Sequence, residues 1–343
     1  MTEKRSLLIK IYTQYSGNFW RKYFDYERIE KMLPLLTKKL PLSRELFLKT
    51  GKNVLEINLD NFRGLIEGYF FNFKTEPKEK RNNGLVKLIE TELNYKLYPF
   101  LDYPSYEDNR EFIQSKKFLS PVRFDNDNSF LNFFEKIIYE NNLKGKRVIV
   151  KPNFVSPEGY PETTDQKLLT SIVSIVEKNS PYSLKILEGP SIFYDDSFLK
   201  KIKIGNYSIE NTLFSKNLVR VGSNRSQKSF LIEKDILEAD FLINIACLKK
   251  HLSAGFSASK KNLMGLLPSF ERIRFHRNLN LGFAIDFLAE KISPIYNIID
   301  AREILDNAQM KRFGGKVKRG KGIYFSTDCF ELDRIAINDN FNE

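Results

Sequence analysis

Both histidines of this chain, His251 and His276, fall within one segment, Cys247 to Asn278. The segment begins Leu248-Lys249-Lys250-His251-Leu252-Ser253-Ala254-Gly255-Phe256-Ser257-Ala258-Ser259-Lys260-Lys261-Asn262 and follows the apolar run Phe241 to Ala246. Small residues around Gly255 and Ser257 let the backbone approach a ligand and offer it amide N–H donors. A lysine after such a turn, such as Lys261 beside Asn262, pairs with an anion or, once desolvated, becomes a nucleophile. Histidine on the same loop moves protons near neutral pH or binds a metal. The plainer reading is equally open: two hydrogen-bonded loop histidines and a solvated Lys260-Lys261 pair. Cys247 and His251 form a C-x3-H pair with no second Cys/His pair nearby, which argues against a four-ligand structural zinc site.

Smaller constellations lie on either side. Lys151-Pro152-Asn153 with Thr163-Thr164-Asp165 forms a strand-to-helix turn that could hold an anion or simply cap a helix. Ser326-Thr327-Asp328, with Asp333 beyond it, follows another apolar run and could coordinate a metal or a ligand hydroxyl or cap the last helix, capping being the favoured reading. Asp300 reads as a carboxylate at a strand end. Phosphate-loop, dinucleotide and nucleophile-elbow patterns are absent.

These residues need a scaffold, and the flanking patterns supply one. Arg147 to Val150, Leu184 to Leu187, Leu218 to Val221, Phe241 to Ala246, Ile295 to Ile299 and Ile323 to Phe325 read as strands. Phe130 to Tyr139, Gln166 to Lys178 and Leu281 to Ile292 read as helices, with Thr164 or Asp165 capping the second. Such alternation predicts an α/β domain over 118–343, a parallel-rich sheet covered by helices with its ligands at the carboxyl ends of strands. Residues 1–115 read as a mainly helical N-terminal extension, from Arg21 to Leu40 and Leu85 to Leu97, and carry no catalytic motif.

The 343 residues include 55 Lys or Arg against 43 Asp or Glu, a formal charge of +12. Because the basic residues are spread along the chain, the charge of this basic protein gives nucleic-acid binding little support. The densest run, Lys311 to Lys321, reads as a glycine-rich loop, solvated or anion-binding. Two cysteines are too few to ligate an iron–sulfur cluster. No apolar stretch reaches membrane-spanning length. The opening Leu7-Leu8-Ile9 run is too short for a signal-peptide core, so a cytoplasmic location is expected.

Seven strings then appear in one order: Val148-Ile149-Val150-Lys151-Pro152-Asn153, Asp240-Phe241-Leu242-Ile243-Asn244, Leu248-Lys249-Lys250-His251, Lys261-Asn262-Leu263-Met264-Gly265-Leu266, Arg274-Phe275-His276, Asn297-Ile298-Ile299-Asp300 and Ser326-Thr327-Asp328. Their order resembles the DUF362 family, a domain of unknown function often found beside ferredoxin-like modules. More distantly, His251, the Ala254-Gly255-Phe256-Ser257 turn, Lys261 and His276 resemble the nickel-pincer lactate racemase family. That resemblance implies Lys261 as attachment point of a nicotinate-derived nickel-pincer nucleotide, His276 as nickel ligand and His251 as proton-transfer group. Together with the residue patterns above, small-ligand contacts are expected at Lys151, Asn153, Thr163, Thr164, Gly255, Ser257, Lys261 and Asn262. The expected protein is thus an oxidoreductase- or isomerase-type enzyme, or a redox-associated protein served by a separate ferredoxin-type partner. Its alternative is a non-catalytic ligand- or partner-binding member, a reading carried by Ala258-Ser259 in place of a second glycine-rich step and Asp165 in place of the family's histidine. A nucleic-acid-associated protein is the lesser alternative, supported by charge alone.

Overall fold

The computed structural model describes residues 105–106, 119–191, 196–215, 217–222, 229–278, 280–292 and 296–341. The helices expected within 1–115 lie outside these residues. In chain order the elements are β1 (Val122–Phe124), α1 (Asp127–Glu140), β2 (Arg147–Lys151), α2 (Gln166–Lys178), β3 (Ser183–Glu188), β4 (Lys203–Ile204), β5 (Tyr207–Asn211), β6 (Leu218–Gly222) and β7 (Ser229–Glu233). There follow α3 (Lys234–Leu237), β8 (Phe241–His251), β9 (Gly255–Ser257), α4 (Ser259–Asn262), α5 (Ser269–Asn278), α6 (Leu281–Ile292), β10 (Tyr296–Asp306), β11 (Lys316–Ser326) and α7 (Cys329–Phe341).

The main sheet runs β1-β11-β10-β8-β2-β3-β5-β4, with β9 folded back on β8. Its centre, β10-β8-β2-β3-β5, is parallel, and the pairings at both edges are antiparallel. The sheet is therefore mixed and helix-covered, as an α/β chain requires. Val148, Val150, Ile243, Ile245 and Ile298 pack on one face against Phe130, Phe134 and Ile137 of α1 and Leu169, Ile172 and Val176 of α2. The alternate residues Ile149 and Leu242 meet Ile285 and Leu288 of α6 and Phe275 of α5 on the other face. Ala246, Ile299 and Tyr324 meet Leu332 and Ala336 of α7 there. Burial on both faces explains why these strands read as unbroken apolar runs.

Local signals set the element ends. Asn126 accepts the Ser129 amide to open α1, and Asp165 accepts the Lys167 amide to open α2. Three expectations are corrected. Leu218 to Val221 is a strand, but it pairs with β7 in a separate hairpin. Lys316 to Lys321 is not loop; it is the charged, mostly exposed half of β11, bonded to β10. Asp300 is not at a strand end, because β10 continues to Asp306. No described helix is long and apolar enough to cross a membrane.

Candidate functional site

One register row sets the floor of the site. Lys151 of β2 pairs with Asn244 of β8, Asn244 with Asn297 of β10, and Asn297 with Ser326 of β11. All four are fully buried. Apolar rows give way here to polar ones, and a buried polar group needs a partner. Asn262, on α4, supplies much of it. Its Oδ1 accepts from Asn153 Nδ2 at 2.7 Å and Lys151 Nζ at 3.4 Å, while its Nδ2 donates to Asn244 Oδ1 at 2.8 Å and the Ile245 carbonyl at 3.0 Å. Asn244 Nδ2 in turn donates to Ser259 Oγ at 2.8 Å.

Every cation built into this floor is engaged. Lys151 Nζ donates to Glu188 Oε2 at 2.9 Å and to the Pro152 carbonyl at 2.6 Å. Glu188 also accepts the amides of Phe154 and Gly189, each at 2.7 Å. Burial pulls the Lys151 ammonium below the ordinary lysine value, and Glu188 opposes that pull. The pair packs so tightly that a Cβ at Gly265 would lie 2.5 Å from both Glu188 Oε1 and Lys151 Nζ. Lys249 Nζ donates to Asn153 Oδ1 and the Glu162 carbonyl, both at 2.8 Å. Arg272 spans the carbonyls of Gly189, Pro190, Gly265 and Leu267.

Above the floor lies the histidine–lysine segment. β8 ends at His251, turns, and returns as β9, so that Gly255 stands opposite His251 and Ser257 opposite Lys249. Gly255 has φ +71°, a left-handed conformation that favours glycine. His251 Nδ1 accepts the amides of Ser253 at 3.2 Å and Ala254 at 3.3 Å, which places the proton of the neutral ring on Nε2. Burial, followed by Lys261, Lys249 and His276, pushes the imidazole down to about 3.

Lys261 is half-buried on α4. Among the described residues no hydrogen bond or ion pair engages its Nζ. Burial, then the neighbouring charges of Lys249 and Arg272, lowers it to about 7. Among the described residues no carboxylate offsets either Lys261 or His251: the charged groups acting on the two are cationic.

The structure thus gathers Lys151, Asn153, Asn262, His251, Lys261, Gly255 and Ser257 around the ends of β2 and β8. His276 is exposed on α5 yet close enough to act on His251. Thr164 Oγ1 accepts the Asn153 amide at 2.7 Å, whereas Thr163 turns into its own loop and donates to the Glu158 carbonyl. Asp328 caps α7 through the amides of Phe330 and Glu331. Asp300 and Asp165 both bind Arg302, which also pairs with Asp127. Tyr160 donates to Asp300 at 2.9 Å. A cavity of about 410 Å³ opens beside Tyr160, Arg302, Glu303, Val317, Lys318 and Arg319, and none of the sequence-predicted site residues lines it.

Sequence reasoning missed Glu188, Lys249, Asn244, Asn297 and Arg272. All but Arg272 left a trace: Glu188-Gly189-Pro190 closes an apolar run, and Asn244, Lys249 and Asn297 stand within the ordered strings quoted above. Among the described residues no three His, Cys, Asp or Glu side chains cluster as a metal site.

The sequence model of a domain of unknown function, DUF362, matches residues 148–338. The chain belongs to the DUF362 family. Every residue of the floor and the overlying segment, from Lys151 to Asp333, lies inside the DUF362 match. None of the curated proteins matches the chain. Among solved structures, the lactate racemase apoprotein from Thermoanaerobacterium thermosaccharolyticum is 16% identical with a TM-score of 0.41, over 67% of this chain and 60% of that one. A structural-genomics protein from Thermotoga maritima is 13% identical with a TM-score of 0.40, over 63% and 59%. This DUF362 chain therefore spans less than two thirds of either.

Proposed function

We propose that this DUF362 protein binds a small anionic ligand or cofactor over the ends of β2 and β8, with Lys261 as its point of attachment. One observation carries the reading: among the described residues the half-buried Lys261 Nζ makes no hydrogen bond or ion pair, and the described charges acting on it and on His251 are all cationic. Buried charge is normally paired or hydrogen-bonded: of the other cations of the floor, Lys151 pairs with Glu188, and Lys249 and Arg272 are hydrogen-bonded to neutral oxygens. A carboxylate or phosphate supplies the missing charge. A lysine lowered to about 7 is divided between ammonium and free amine near neutral pH, so it can pair with an anion or, once deprotonated, act as a nucleophile.

The sharpest form of the proposal is a nickel-pincer nucleotide. Lys261 suits it as an unpaired amine, and His276 would hold the metal. Because no three-donor cluster exists among the described residues, the nucleotide would have to bring its own donors. Such a group, when bound, accepts hydride from a hydroxy acid. His251 then presents an Nε2–H to the ligand, and Lys249, its ammonium lowered from the ordinary lysine value by burial, is held beside the site by Asn153. A second reading, a binding protein without chemistry, rests on that same Nε2–H. An imidazole lowered to about 3 is a hydrogen-bond donor before it is a base.

The test is the intact mass of the protein purified from its native cells, with metal analysis on the same sample. A mass excess on the Lys261 peptide together with nickel is the expected result for the pincer form. A mass excess without metal supports attachment of another group. An unmodified Lys261 without bound anion overturns attachment and leaves the binding reading.

A further inference from the structure

The helical turn that carries Lys261 begins without a cap of its own. Ala258 precedes α4, and no side chain at that position can accept the first amides of the turn. Asp333, on α7 and far away in sequence, accepts both. Its Oδ1 takes the Ser259 amide at 2.7 Å and its Oδ2 the Lys260 amide at 3.1 Å. Ser259 is held from its other side as well, donating its hydroxyl to Asn297 Oδ1 at 2.7 Å.

Among the described residues Asp333 has no ion pair. It is 6% exposed, and the nearest lysine, Lys260, pairs instead with Asp286 of α6 at 2.7 Å and lies over the Phe330 ring. Burial raises the Asp333 carboxyl to about 7, opposed by the two amides and Lys260 and reinforced by Asp286. Cys329, on the same helix, is also within its field. An unpaired buried carboxylate is a costly way to hold a helix start that a serine one residue earlier would cap at lower cost. What the carboxylate adds is a fixed link between α7 and the amides immediately before Lys261.

We propose that Asp333 is a positioning residue that holds the Lys261 amine in its half-buried, all-cationic setting. The proposal rests on Lys261 being the attachment group of the site. Asp333 acts through the backbone, since the charges acting on Lys261 come from Lys249 and Arg272 and not from Asp333. Once the clamp is released, α4 frays, Lys261 Nζ reaches water, and its ionisation moves back towards an ordinary lysine.

The test is trace acetylation of the full chain with acetic anhydride from about pH 5 to about pH 11, with the Lys261 peptide quantified by mass spectrometry. Wild type, Asp333→Asn and Asp333→Ala are compared, with exposed Lys321 as internal standard. Wild-type Lys261 is expected to label half-maximally near pH 7. Asp333→Ala is expected to raise that midpoint by about one unit or more, which lowers labelling below the midpoint about tenfold. Asp333→Asn keeps one acceptor and should fall between, without loss of thermal stability at alkaline pH, because it removes a buried charge. A wild-type midpoint near that of Lys321 would overturn the Lys261 reading and this one with it. A wild-type midpoint near pH 7 left unchanged by Asp333→Ala, or by Asp333→Asn should the alanine variant not fold, would overturn the positioning role alone.

Discussion

Lys151 and Lys261 are two lysines of one site in opposite circumstances. Lys151 is fully buried, bonded to Glu188, Pro152 and Asn262, and carried on a central strand. Lys261 is half-buried on one turn of helix, and its neighbours are Lys249 and Arg272. Burial lowers the ionisation of both, but only Lys151 has a carboxylate working against it. A cation whose own protein satisfies it is part of the scaffold. A cation left among like charges is held ready for something the protein does not contain.

The largest test of that contrast is Glu188→Ala. It strands the Lys151 ammonium and leaves the amides of Phe154 and Gly189 without their acceptor, and breaking a buried pair from one side costs about 3–5 kcal/mol. Urea unfolding of the variant should show a loss of that order. The double variant Lys151→Met, Glu188→Leu should recover most of it, because the uncompensated charge goes with its partner. A loss under about 1 kcal/mol for Glu188→Ala would mean that the pair is not what fastens β2 to β3.

How much of this was legible in the sequence depends on how local the determinant is. Gln166–Lys178 and Leu281–Ile292 were readable to the residue because apolar spacing and, for the first, a capping aspartate fix them locally. β8 and β10 were read too short. Their outer ends, Cys247 to His251 and Ala301 to Asp306, contain charged residues, and a charge in sequence looks solvated. Lys249 shows the failure: it is 1% exposed because Asn153 and Glu162, distant in the chain, receive its protons. Glu188 failed for the same reason, since only Lys151 makes a strand-end glutamate an interior group. His251, Lys261 and Asn262 were legible because they lie in one short segment. Asp333 reads in sequence as a helix cap or a metal or hydroxyl ligand, not as a clamp on α4, since its partners Ser259 and Lys260 are 74 and 73 residues away.

Lys261→Met should behave in the opposite way to Glu188→Ala. The folded-state value near 7 lies below the unfolded lysine value of about 10.4. A depressed value means the folded state resists protonation, so the stabilising contribution is present above the unfolded value and is lost as pH falls through 7. Methionine has no such loss. The variant's melting temperature should therefore equal or exceed that of wild type at pH 7, and the gap should close towards about pH 10. A variant clearly less stable than wild type at pH 7 would show that Lys261 has a partner after all.

The smallest effect is expected at His251, and it bears on the same contrast. Its folded-state value near 3 lies below the unfolded value of about 6.5. The stability it contributes is present above pH 6.5 and is lost as pH falls through 3, since the folded ring must take up a proton against burial, Lys261, Lys249 and His276. His251→Asn keeps an acceptor where Nδ1 receives the amides of Ser253 and Ala254, but it does not titrate. Wild type and variant should be equally stable at neutral pH, and wild type should lose stability faster between about pH 6 and pH 3. An anion seated over the site reverses the argument, because a negative charge beside the ring favours its protonated form. Calorimetric titration of wild type with phosphate near pH 5, in two buffers of different ionisation enthalpy, should therefore report proton uptake, and the asparagine variant should report less. Equal uptake by both would place the bound anion away from His251 and remove the site's claim to it.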